Sequence, residues 1–154
     1  ALHQPVANDL RLVVVILKVN IDLERMGDFA SNIAQRGLFL SEHDPLPDLM
    51  EFIDVLPNLV QKMVRDSLDA LVKMNTEIAQ TVILADDEVD NINRLMYQKV
   101  NETIKNDTST TERAISLLST SRYLERIADL STNIAEDVIF MVEGIVIRHD
   151  LDHD

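Results

Sequence analysis

Three pairs of acidic residues stand one helical turn apart: Glu24 with Asp28, Asp86 with Asp90, and Glu125 with Asp129. At 100° per residue, with Glu24 at 0°, Asp28 falls at about 40°. Leu10, Val13, Leu17 and Ile21 fall between about −20° and 60° on the same wheel. Arg11, Lys18, Asp22, Arg25 and Arg36 gather between about 100° and 160°, which reads as the solvated side. Glu24 and Asp28 therefore continue an apolar stripe. The second pair does the same: with Glu125 at 0°, Asp129, Glu136 and Glu143 lie at about 40°, 20° and 0°, in the sector of Ala114, Leu118 and Ile139. Asp86 and Asp90 are flanked by Val89, Val100 and Ile104. Carboxylates on a core-side face must be neutralised by protons, by basic side chains or by metal. Arg25 and Arg126 project about 100° away from Glu24 and Glu125 and do not sit among the acids. Oxygen donors suit hard cations such as Mg, Ca, Mn and iron. The bland alternative is a set of helix positions facing a solvent groove.

The acids belong to an internal repeat. Leu23-Glu24-Arg25-Met26-Gly27-Asp28-Phe29-Ala30-Ser31-Asn32-Ile33-Ala34 aligns with Leu124-Glu125-Arg126-Ile127-Ala128-Asp129-Leu130-Ser131-Thr132-Asn133-Ile134-Ala135, 101 residues on, with 7 of 12 positions identical. An offset that long implies a duplicated helical unit rather than a short solenoid period. Asn32 and Asn133 occupy equivalent positions of the two segments, and the family resemblance described below implies that they help orient the carboxylates.

Helices must carry these motifs. Only 3 Gly and 4 Pro among 154 residues leave too few turn formers for an all-β fold. A first helix opens after Gln4-Pro5 and runs to about Leu40, where Ser41 to Pro47 read as a loop. A second follows from Asp48 with a stripe from Phe52 to Val82. Pro57 inside it is expected to kink it or split off its first turns. Asp86-Asp87-Glu88 is expected to mark a break near Ala85 and open a third helix, since acids favour helix starts. Asn106 to Thr110 read as a loop whose Ser or Thr caps a fourth helix, from about Thr111 to Arg148. Asp150 to Asp154 read as a frayed tail.

Composition narrows the function classes. Fourteen basic residues against 27 acidic leave a net charge of −13, which repels nucleic acid and anionic lipid. With no Cys, disulfides, thiolate metal sites and Cys nucleophiles are excluded together. The absence of Cys fits a reducing cytoplasm, the expected location, and no apolar run is long enough to span a bilayer and no signal peptide is visible. No Ser-His-Asp order, phosphate-cradling Gly loop or zinc spacing occurs.

The two repeat segments resemble the PhoU family of phosphate-transport regulators, whose signature Glu-Arg-[Ile/Met]-x-Asp-x-x-x-Asn-Ile-Ala stands here at Glu24 to Ala34 and at Glu125 to Ala135. Gln4 to Arg11 (Gln-Pro-Val-Ala-Asn-Asp-Leu-Arg) and Asp86-x-x-Val-Asp90 are similar to two further family motifs. The resemblance implies an all-α fold of long antiparallel helices. Residues 1–44 would be the last helix of a first, incomplete bundle, and 45–154 a complete three-helix bundle. It implies metal bound by Asp86, Asp90, Glu125 and Asp129, with Glu136 as a further ligand and a second site at Glu24 and Asp28 that another chain completes. The metal would be iron, with Mn, Mg, Zn or Ca as alternatives, in a cluster that can be multinuclear. The implied role is a negative regulator of the phosphate-starvation response and not an enzyme. It acts with the phosphate ABC transporter and a sensor kinase, and forms a homodimer or higher oligomer. The first helix, lacking its own bundle, is expected to pair with another copy or to pack as a fourth helix.

Two rivals remain. A ferritin-like di-metal oxidase needs Glu-x-x-His on two helices, and none of His3, His43, His149 and His153 has Glu three positions before it. A structural or adaptor bundle explains the stripes but not the duplicated acids.

Overall fold

The computed structural model describes the backbone of residues 4–151 and the side chains of residues 9–143. Four helices follow in order: α1 (Gln4–Ser41), α2 (Pro47–Lys73), α3 (Thr76–Asn106) and α4 (Thr111–Leu151), with a 3-10 turn at Thr108–Thr110. No strand occurs among the described residues. The fold is all-α, as the shortage of turn formers requires.

Local chemistry sets the boundaries. Pro47 occupies the first turn of α2, where a missing N–H costs nothing, and Asp48 faces the positive end of the helix dipole. Pro57 does not divide α2, which runs unbroken to Lys73. The proline removes one ladder hydrogen bond, and burial of Leu56 and Val60 on either side holds the helix together. The break expected near Ala85 lies ten residues earlier. Met74 turns left-handed at φ 50°, and Asn75 caps α3 by accepting a hydrogen bond from the Ile78 N–H at 3.0 Å. Asp86-Asp87-Glu88 therefore lies inside α3. An acidic run is compatible with a helix start, but a side chain that satisfies an orphan N–H defines one. Asp107, rather than a Ser or Thr, accepts the Ser109 N–H at 2.9 Å ahead of α4. The tail from Asp152 lies outside the described residues.

Helices α2, α3 and α4 each pack on the other two, while among the described residues the backbone of α1 approaches only α4. The main core joins Leu56, Val60, Met63, Val82, Val89, Ile134 and Val138. A smaller cluster around Leu49, Met96, Val100 and Leu117 closes the other end.

The exposed and buried faces of α1 are the reverse of the sequence expectation. Leu10, Val13, Leu17 and Ile21 remain 51–63 % exposed, and Glu24 and Asp28 are exposed with them. Val15, Val19, Asp22 and Met26 are buried instead, at about 160° to 220° on the Glu24 wheel. α1 is apolar on two faces, a pattern of helices covered on both sides, and α4 takes one of them. The sector read as solvated supplies part of this contact. Lys18 Nζ donates to Asp137 Oδ1 at 2.5 Å, and Arg126 lies over the Phe29 ring, which stacks on Tyr123. Asp22 is held above the usual carboxylate range by burial and by Asp137, against the pull of Arg25 and Lys18.

Candidate metal centre

Asp86, Asp90 and Asn93 lie on consecutive turns of α3, and Ser121, Glu125 and Asp129 on consecutive turns of α4. The i, i+4 spacing keeps each set on one face, and the α3–α4 packing turns the two faces together. Asp86 and Glu125 are partly buried; Asp90 and Asp129 stand at the exposed margin.

A hydrogen-bond relay fixes Glu125. Ser121, fully buried, donates from Oγ to Asn93 Oδ1 at 2.6 Å. Asn93 in turn donates from Nδ2 to Glu125 Oε2 at 2.5 Å. Asn93 was missed in the sequence, where Asn32 and Asn133 were expected to orient the acids. Neither of those two asparagines bonds a carboxylate among the described residues. The available signal was the spacing: Asn93 follows Asp86 and Asp90 by seven and three residues, on the same helix face.

The acids feel one another. Burial pushes the Asp86 carboxyl up to about 6, reinforced by the charges of Asp90, Asp129, Asp87 and Glu125. Glu125 is raised by burial and by Asp129 and Asp90, against Arg122 and the Asn93 hydrogen bond. Asp129 is raised by partial desolvation and by Asp90, with Arg126 opposing. Four of the expected residues thus form one electrostatic unit. Glu136 does not join it: it is exposed and is not among the charges that shift these acids. Glu24 and Asp28 face outward on α1 with no opposing acidic helix among the described residues.

The donor set fits a hard cation. It is made of carboxylate oxygens, and the Asn93 amide holds one of them in place, as hydrogen-bond partners of metal ligands do. Asp86 Oδ1 is buried with no hydrogen-bond partner, an orphaned acceptor that a cation or a proton would satisfy. Among the described residues no three or more acidic or histidine side chains are gathered closely enough to hold a metal ion as they stand. The row is spread along two helices, the arrangement expected of mutually repelling carboxylates.

A repeated acidic signature on long antiparallel helices matches a known domain. The PhoU domain model fits residues 1–37 and 53–138. The chain belongs to the PhoU family. It is 37 % identical over 149 residues to a phosphate-specific transport system accessory protein PhoU homolog of Pseudomonas aeruginosa, covering 97 % of this chain and 62 % of that protein. A homolog of the same description from Aquifex aeolicus is 38 % identical over 149 residues, covering 97 % of this chain and 67 % of that one. The crystal structure of PhoU from Pseudomonas aeruginosa superposes with a TM-score of 0.87 at 37 % identity, over 92 % of this chain and 68 % of that one. The chain thus spans about three-fifths of the length of the first curated relatives it matches. No described helix is long and apolar enough to cross a membrane.

Proposed function

We propose that this chain is a metal-binding regulatory part of a phosphate-uptake system. It acts as a negative regulator of the phosphate-starvation response, through the phosphate ABC transporter and a sensor kinase, in the cytoplasm and without catalysing a reaction. Membership of a family whose relatives are named as phosphate-transport accessory proteins supports the setting. The carboxylate row of α3 and α4, with its orphaned Asp86 oxygen, is the single observation that carries the metal. Asp86, Asp90, Glu125 and Asp129 would hold it, and iron, Mn or another hard divalent ion suits the donors. Bound there, such an ion would supply positive charge between the acids of α3 and α4, and the face that these helices present docks on transporter or kinase components.

On this reading residues 1–44 are the last helix of one bundle and 45–154 a complete second one. The two family-matched segments end 101 residues apart, at the repeat offset. In the uncovered stripe of α1, Val13 and Leu17 correspond in the repeat to Ala114 and Leu118 of α4, which pack with Met96 and Val100 of α3. A helix equivalent to α3, from further chain or from a second copy in an oligomer, would complete the Glu24–Asp28 site.

The test is made in cells lacking the protein, with a phosphate-starvation reporter in phosphate-rich medium. The wild-type gene should silence the reporter. Glu125→Ala with Asp129→Ala, expressed at the same level, should leave it on. Full silencing by the double variant would reject a regulatory role for the row.

A further inference from the structure

The two ends of α1 are held differently. At its C-terminal end Leu40 and Leu46 pack on the cluster around Leu49 and Leu117. Arg113 Nη1 also donates to the Asp44 carbonyl at 2.8 Å, pinning the non-helical segment 42–46 that joins α1 to α2. Beyond that anchor the backbone of α1 approaches only α4 among the described residues, while α2, α3 and α4 brace one another.

About 30 Å along α1 from this anchor, at 1.5 Å per residue, the α1–α4 seam contains charge. Asp22 is only 9 % exposed and forms no ion pair among the described residues. Asp137 of α4 adds a second negative charge within reach of the first. Lys18, one turn before Asp22, bonds Asp137 Oδ1 at 2.5 Å, but Asp137 Oδ2 is buried without a partner. Arg25 draws on Asp22 from an exposed position. Val15, Val19 and Met26 make the rest of this face of α1 apolar.

Buried carboxylates cost free energy that only full pairing returns. Pairing is incomplete on both acids here, so the apolar contact of α1 with α4 works against a standing penalty. Parting the helices at this end lets water hydrate both acids and relieves it. The fold itself does not require the charge. Carried through the 101-residue repeat, Asp22 becomes Tyr123 and Asp137 becomes Arg36, so the equivalent place nearer the anchor holds no acid. Tyr123 stacks on Phe29 instead.

We propose that α1 is a hinged arm. It opens from α4 at the Lys18–Asp22–Asp137 end, turns about residues 42–46, and opens as often as the buried acids dictate. The open arm uncovers Val15, Val19 and Met26 in addition to the exposed Leu10 to Ile21 stripe, so the acids control when the second apolar face of α1 is displayed. The opening needs no metal ion.

Thiol labelling of the full chain tests it. The chain has no Cys, so a single introduced thiol reports opening without background. Val19→Cys places one in the seam, and Met63→Cys places one in the core of the α2–α3–α4 bundle. Each protein is labelled with iodoacetamide at one fixed pH, and its rate is divided by that of the same protein unfolded in urea. Val19→Cys should be labelled at least about ten-fold faster than Met63→Cys, because the arm opens while the bundle stays closed. Adding Asp22→Asn removes a buried charge and should slow labelling of the Val19→Cys protein by about ten-fold. Adding Lys18→Met leaves Asp137 without its counter-charge and should speed labelling by about as much. Neither addition should alter the rate of the Met63→Cys protein. If Val19→Cys lowers the helix content by circular dichroism, Val15→Cys on the same buried face takes its place. Equal rates in the seam and in the core, or a seam rate that Asp22→Asn leaves unchanged or raises, overturn the arm.

Discussion

Asp86 concentrates the physical tension of the site. Its carboxyl is pushed up to about 6 by burial first and by Asp90, Asp129, Asp87 and Glu125 next, and its Oδ1 has no partner. A carboxyl whose folded pKa is raised binds its proton more tightly in the folded state, so its contribution to stability is present at low pH. That contribution is lost as pH rises from the unfolded value of 3.8 through about 6. Metal-free Asp86→Asn should therefore melt at a higher temperature than wild type at pH 7.5, with the gap shrinking by pH 5; a constant gap across that range would contradict the assignment. Asn93 makes a separate prediction. It receives the Ser121 hydroxyl hydrogen and holds Glu125, so Asn93→Ala should weaken Mn²⁺ about ten-fold in calorimetry, the effect of freeing a ligand that a hydrogen bond had held in place. Unaltered affinity would make the relay purely structural.

The helices were legible where a single physical rule governed them and illegible where two competed. Apolar spacing and scarce turn formers marked four long helices, and the Asp86–Asp90 and Glu125–Asp129 pairs came together because their spacing survives any choice of helix ends. The α2–α3 break was misplaced because the acidic run at Asp86 outweighed the Asn75 cap, which states its role only through the Ile78 N–H it receives. Asn75→Ala should cost about 1 kcal/mol in chemical denaturation, as cap removal does; no loss would deny the cap its role. The faces of α1 could not be ranked from sequence, since Leu10 to Ile21 and Val15 to Met26 are both apolar stripes and the packing of α4 decides between them. Asp22 was assigned to solvent for the same reason. Because α1 approaches only α4 among the described residues, its amides should exchange faster than those of α3 in hydrogen-exchange mass spectrometry of this chain. Equal protection would mean that α1 is covered, by a second copy or otherwise.

On the scale of the whole molecule the net charge of −13 is more than a solubility device. Part of it is gathered on facing sides of α3 and α4, where mutual repulsion works against the bundle that ordinary apolar burial builds around Ile134 and Val138. A divalent ion would turn that repulsion into a cross-link between two helices, and linkage then requires bound metal to raise stability. The most direct measurement is the melting temperature of wild type and of Asp86→Asn with Glu125→Gln, each with and without Mn²⁺ at about 100 times its Kd. Such saturation adds about 2.7 kcal/mol, or roughly 5–10 °C for a chain of this size. Wild type should show that rise and the double variant should lose it. An equal rise in both proteins, or none in wild type, would contradict it.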